Sequence, residues 1–186
     1  EAYKQALAID LKEYGREHSE VMTVYGNMAI AYRKLKKDRE ELDCLRKALD
    51  VSLLLFDEES DEVRGRYCNL ADCLYRQKKF ENCSKMRKKV VEILCKTTNE
   101  ENMAMAKAYN LYADALYETE DYVNARINYD NAVRVYRNGG KEYLESVAIV
   151  LASLGYANMN LGNYDEAIRA FEEARQIVKQ NGFDVA

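Results

Sequence analysis

Small residues recur at one fixed interval: Ala29, Ala71, Ala113 and Gly155 stand 42 residues apart. A second series, Ala48, Val90, Ala132 and Ala174, keeps the same interval, with Ala6 one period earlier. A long fixed period of small side chains means that one supersecondary unit stacks on copies of itself, since no single unit buries its own apolar face. Such a chain folds as a solenoid, and a solenoid offers an extended surface for partners. Proline is absent and glycine contributes only 8 of 186 residues. With abundant Ala, Leu, Lys, Glu and Arg, that makes the repeating unit helical.

Each period divides into two helices, a short turn and a longer polar connection. The last unit shows the pattern most clearly. Val147, Val150, Leu151, Leu154 and Ala157 form one stripe at helical spacing over residues 143–160. Leu161-Gly162-Asn163 breaks the helix, and a second runs over 164–179 with Ala167, Ile168, Phe171, Ala174 and Val178 inward. The same reading predicts first helices over 20–36, 61–77 and 102–118, and second helices over 39–56, 80–96 and 122–137. An orphan second helix over 2–14 carries Tyr3, Ala6, Leu7 and Ile9. Ser60 and Asn99 are expected to cap the helices that follow them. The chain is expected to be one domain: 1–15 as the second helix of a truncated repeat, then repeats at 16–57, 58–99, 100–141 and 142–186. Because it opens inside a helical pattern, the chain is expected to be a piece of something longer.

The unit Leu154-Gly155-x-x-Asn158…Gly162-Asn163-Tyr164-x-x-Ala167-x-x-x-Phe171-x-x-Ala174 resembles the tetratricopeptide repeat. Tyr112-Ala113, Leu116, Tyr122, Ala125, Tyr129 and Ala132 match it in the third unit. The second unit places Cys83 at an alanine position and Arg87 at the aromatic one, and the first has Glu41 at an alanine position. Those two charged residues predict looser packing in the middle. Standard repeats of this family take about 34 residues; the longer unit, and the junction Tyr14-Gly15-Arg16-Glu17-His18-Ser19, resemble the kinesin light chain variant. The resemblance implies an all-α, right-handed α-α superhelix, a tetratricopeptide solenoid of four hairpins plus the orphan helix.

In that family the first helix of each hairpin lines the concave groove. The resemblance thus points to Asn27 and Arg33, with Thr23, Gly26 and Ile30, in the first unit. It adds Asn69, Asp72, Tyr75 and Arg76, with Gly65 and Cys68, in the second, and Lys107, Asn110, Asp114 and Tyr117 in the third. The fourth contributes Tyr156 with Ile149, Ala152, Ser153 and Met159. Asn27, Asn69 and Asn110 either hold the backbone of an extended peptide or hydrogen-bond between neighbouring helices. Tyr75, Tyr117 and Tyr156 either anchor side chains of a partner or pack between helices. The five-residue carboxylate clamp of heat-shock co-chaperones is matched at Asn69 and Lys107 only; Gly26, Ile30 and Leu111 occupy its other places.

The hairpin turns are basic in the first two units, Lys36-Lys37 and Lys78-Lys79, and not in the third, Glu118-Thr119-Glu120-Asp121. With Arg33, Arg76 and Lys107 in the groove, an acidic peptide is one reading; a solvated charged face is the other. A net charge of −4 argues against nucleic acid. No apolar run reaches membrane-spanning length. Five cysteines without a C-x-x-C pair, and one histidine, argue for reduced thiols in a cytoplasmic protein with no metal site. No nucleophile–base arrangement or phosphate loop is present, so neither catalysis nor a cofactor is expected. The expected function is an adaptor or scaffold that holds a segment of a partner protein, as cargo and cytoskeletal adaptors do. The alternative is an assembly subunit that packs on another folded protein, or self-associates through its convex face or its truncated ends.

Overall fold

The turn inside every hairpin is built the same way. Lys36, Lys78, Glu120 and Gly162, each one period apart, take positive φ values of 56°, 55°, 62° and 77°. The next residue's N–H reaches back across the turn to a carbonyl of the preceding helix: Lys37 to Tyr32, Lys79 to Leu74, Asp121 to Leu116 and Asn163 to Asn158, at 2.9–3.0 Å. This is the left-handed cap that closes a helix and reverses the chain. Only the fourth turn uses glycine for it.

The computed structural model describes residues 2–98 and 102–182, with the backbone alone for residues 2–4 and 6. Among the described residues there are nine α-helices and one short 3₁₀ turn. They are α1 (Ala2–Glu13), α2 (Ser19–Lys34), α3 (Asp38–Leu55), α4 (Asp61–Arg76), α5 (Phe80–Thr97), α6 (Met103–Glu118), α7 (Tyr122–Gly139), the 3₁₀ turn (Lys141–Tyr143), α8 (Leu144–Asn160) and α9 (Tyr164–Asn181). The helices lie within two residues of their expected spans. The chain divides into two units, Glu1–Ile93 and Leu94–Ala186.

In the first unit α2 pairs with α3, and α1 and α4 pack beside them. Its small positions, Ala29, Ala48 and Ala71, are 2%, 0% and 0% exposed, so the helix backbones approach closely. Val21 and Val63 are fully buried in this unit, and each valine of this kind contributes about 1.5 to 3 kcal/mol. Cys83 replaces alanine without loss: it is fully buried and its thiol donates to the Ala71 carbonyl at 3.3 Å.

In the second unit α6 pairs with α7 and α8 with α9, while α7 also packs on α8. Ala113, Ala125, Ala132, Val147, Val150 and Leu151 form its core. Ile168, expected inward, is 54% exposed, and Ala170 is buried instead. At about 100° per residue, the stripe that starts at Ala167 passes through 170, 171 and 174 and leaves 168 outside.

Side-chain oxygens and nitrogens hold the helix starts. Ser60 accepts from the Val63 N–H, as expected. Asn99 lies outside the described residues, and α6 is capped by Asn102, whose Oδ1 accepts from the Ala104 N–H at 2.8 Å. His18 caps α2 through Nδ1 and stacks on Tyr14 at 4.5 Å. Of the residues expected to anchor the orphan helix, the side chains of Tyr3 and Ala6 lie outside the described residues, and Ile9 is exposed.

Candidate functional site

First-helix residues of the first unit line one cavity of about 420 Å³. Thr23, Gly26, Asn27, Ile30 and Arg33 come from α2, and Arg66, Asn69, Asp72 and Arg76 from α4; Ala29, Glu41 and Leu45 complete it. Helical spacing explains the set, since residues three and four apart share a face. Asn27, Arg33, Asn69, Asp72 and Arg76 are therefore brought together as expected, and Arg66 is an addition.

The charges of this cavity are not equivalent. Glu41 is 4% exposed and accepts from Arg76 Nη2 at 2.5 Å. Arg87 is 5% exposed and donates to Asp72, so the two residues that depart from the repeat pattern are buried charges paired with groove residues. That pairing is how the fold accommodates them. It leaves Arg33 and Arg66 as the cavity's arginines without an ion pair among the described residues.

The Asp72–Arg87 pair belongs to a regular scheme. One period later Tyr129 donates its hydroxyl to Asp114 at 2.8 Å, and one period after that Phe171 meets Tyr156 edge to face at 5.1 Å. One period earlier Ile30 and Leu45 line the cavity together. In the last three hairpins a second-helix residue thus meets the groove residue, and the two match in chemistry.

Sequence reasoning missed Arg66 because it was sought on the wrong stripe. The residues one and two periods away, Val24, Ala108 and Val150, are apolar, so this column reads as core. The odd residue in that column was the available signal. Its cost is visible: Arg66 Nε is shut off from solvent with no hydrogen-bond partner among the described residues, a penalty of about 1 to 3 kcal/mol.

The three asparagines do not form one ladder. Asn27 and Asn69 are exposed and one period apart, whereas Leu111 holds the next place in that column. Asn110 is turned about 100° away. It is half-buried, and its Oδ1 is closed off without a partner among the described residues.

The tyrosines rest on aromatic residues of their own hairpins. Tyr75 meets Phe80 at 5.3 Å and Tyr117 meets Tyr122 at 5.2 Å, both edge to face. Tyr117 also accepts from Asn160 Nδ2 at 2.9 Å. In the second unit, Lys107 is exposed, Asp114 is held by Tyr129, and Tyr156 is 54% exposed beside exposed Ile149 and Met159.

Burial pushes the Cys73 thiol, beside this cavity on α4, up to about 11, and the Glu41 carboxylate adds to the shift. From its ordinary value near 9, the unfolded chain loses this proton while the folded chain keeps it. The contribution is complete below pH 9 and is lost as the pH rises towards 11. The intact chain should therefore lose about 1 kcal/mol more stability by pH 10 than Cys73→Ala does. Urea unfolding of both proteins at pH 8 and pH 10 measures the difference, and parallel losses would exclude Cys73 as the source.

Residues 104–180 and 21–60 each match a family profile described as Tetratricopeptide repeat. The chain belongs to the tetratricopeptide-repeat family. Among solved structures, it is similar to BtubC (BKLC) from P. vanneervenii, with a TM-score of 0.80, 21% identity, and coverage of 99% of this chain and 74% of that one. It is also similar to the nearly identical TPR-like repeats of a Podosopora anserina protein described as a kinesin light chain. There the TM-score is 0.82 at 18% identity, covering 98% of this chain and 86% of that one. MamA matches at a TM-score of 0.68 and 15% identity, over 97% of this chain and 87% of its own. No curated protein matches the chain by sequence. These likenesses show the fold, an all-α tetratricopeptide-repeat solenoid, and membership of the family supports a protein–protein interaction module of the scaffold kind in general. Among the described residues no helix is long and apolar enough to cross a membrane, and no three metal-binding side chains cluster.

Proposed function

We propose that this tetratricopeptide-repeat chain is a non-catalytic adaptor in the cytoplasm that holds an extended, acidic segment of a partner protein along the first helices of its first unit. The observation that carries the reading is the cavity there. It presents two exposed asparagines, Asn27 and Asn69, with arginines whose positive charge is not cancelled. An amide offers both a donor and an acceptor, so it pairs with peptide backbone whatever side chain is attached. Arginine supplies the preference for acids, and the cavity has the size of an ordinary ligand site. The structural likeness to a protein described as a kinesin light chain supports a cargo or cytoskeletal adaptor role.

Displayed random twelve-residue peptides selected on the intact chain should be enriched in Asp and Glu. Asn27→Ala with Asn69→Ala should weaken the selected peptides about tenfold and leave the melting temperature unchanged, since both residues are exposed. Selection of apolar peptides that bind the double variant equally well would move the contact to the second unit, where Ile149, Tyr156 and Met159 are exposed on α8. A mass that grows with concentration in light scattering, with no peptide selected, would favour the assembly-subunit reading.

A further inference from the structure

Arg66 is the residue of the first unit least explained by folding. It stands in a column that is otherwise Val24, Ala108 and Val150, so a valine satisfies the same packing elsewhere in the chain. Its Nε is buried without a hydrogen-bond partner, and the side chain makes no ion pair, among the described residues. The rest of the guanidinium is nevertheless placed with care. It lines the cavity, and Nη1 lies 3.4 Å from the point that a Cβ on Gly26 would occupy. The guanidinium therefore packs against Gly26 of α2, and no acid among the described residues meets it there. Asp72 and Glu41, the cavity's carboxylates, are already taken by Arg87 and Arg76. A cationic fork lining a cavity and unmatched from within is what a local breach of packing rules looks like at a binding site.

We propose that Arg66 is the specificity anchor of the groove and takes an acidic side chain of the bound segment on its terminal nitrogens, on the cavity side of Gly26. The proposal rests on the reading of this groove as a peptide site. A side-chain carboxylate is assigned rather than a chain terminus because a second unpaired arginine, Arg33, lies two helical turns along α2 from Gly26. That is about 10 Å at 1.5 Å per residue. In an extended polyproline-type segment every third side chain shares a face, about 9 Å apart, so two acids of one segment meet both arginines. A single terminal carboxylate meets only one.

The test uses the 186-residue chain and three acetylated probes of fixed composition. The first is hexaglutamate with an amidated C-terminus, and the second is hexaglutamine amidated in the same way. The third is hexaglutamine with a free C-terminus, which keeps only the terminal carboxylate. Binding is followed by NMR of the arginine side-chain nitrogens at low salt. The intact chain should bind hexaglutamate alone, and the Arg66 signals should shift. Arg66→Val should weaken binding about tenfold or more. Its melting temperature should stay level or rise, because it restores the residue of the equivalent columns. Arg66→Lys keeps the charge but not the fork, and should recover only part of the affinity. Arg46→Gln, which removes an exposed charge on α3, should change little. The proposal is overturned if Arg66→Val binds like the intact chain, if Arg46→Gln loses as much, or if free-ended hexaglutamine binds as well as hexaglutamate. In each of those cases the peptide groove itself still stands. Failure of the intact chain to bind any of the three overturns both.

Discussion

Asp72→Ala should lower the stability of the chain by about 3 kcal/mol, far more than its position suggests. Asp72 is 54% exposed, and replacing such a side chain ordinarily changes stability by no more than about 0.5 kcal/mol. The difference comes from the residue behind it. Arg87 is 5% exposed, its Nε already lacks a partner among the described residues, and Asp72 is the carboxylate it pairs with. A guanidinium does not shed its proton, so removing Asp72 leaves a buried charge uncompensated, the situation in which breaking a pair is costly. Replacing both members at once should cost little. Asp72→Tyr with Arg87→Phe copies the Tyr156–Phe171 contact found two periods later, and an apolar pair of similar volume is often neutral where an ion pair was buried. Urea unfolding of the single and double variants decides the matter. A single variant that loses less than about 1 kcal/mol would mean that Arg87 reaches water.

The period carried most of the architecture because it is a property of packing, and packing repeats with the backbone. Helix spans, hairpin turns and the burial of Ala29, Ala71 and Ala113 all followed from it. What it hid were the places where one repeat departs from the others. Glu41 and Arg87 are such places: their types clash with their columns, and the sequence alone does not say that Arg76 and Asp72 lie opposite. Arg66 escaped for a related reason, since its column is apolar elsewhere and the groove was sought on a neighbouring stripe. Asn110 failed in the other direction. It is the right residue type, but one place off the Asn27–Asn69 column turns it to a half-buried site. Composition and spacing thus fix the scaffold, while the site depends on partners 15 to 35 positions apart, within a hairpin for Arg87 and across repeats for Arg76.

Those partners obey a rule that Gly155 makes testable. Each hairpin joins a small first-helix residue, the groove residue after it and a second-helix support: Ala29, Ile30 and Leu45; Ala71, Asp72 and Arg87; Ala113, Asp114 and Tyr129; Gly155, Tyr156 and Phe171. The rule expects the size of the first to set the room for the third, and the third to decide what the second does in the groove. In the last hairpin the room is used completely. A Cβ on Gly155 would fall 2.6 Å from Phe171 Cε1 and 2.7 Å from Cζ, well inside contact distance, and the ring is also engaged by Tyr156. Gly155→Val should therefore destabilise the chain by about 3 kcal/mol, because overpacking outweighs the gain of about 0.5 kcal/mol from replacing a helical glycine. Gly155→Ala with Phe171→Leu rebuilds the Ala29–Leu45 combination and should recover most of the stability, with Tyr156 losing its aromatic neighbour. Urea unfolding gives the energies. The rule fails if Gly155→Val is tolerated, because Phe171 then has somewhere else to go and the groove residue is not set from behind.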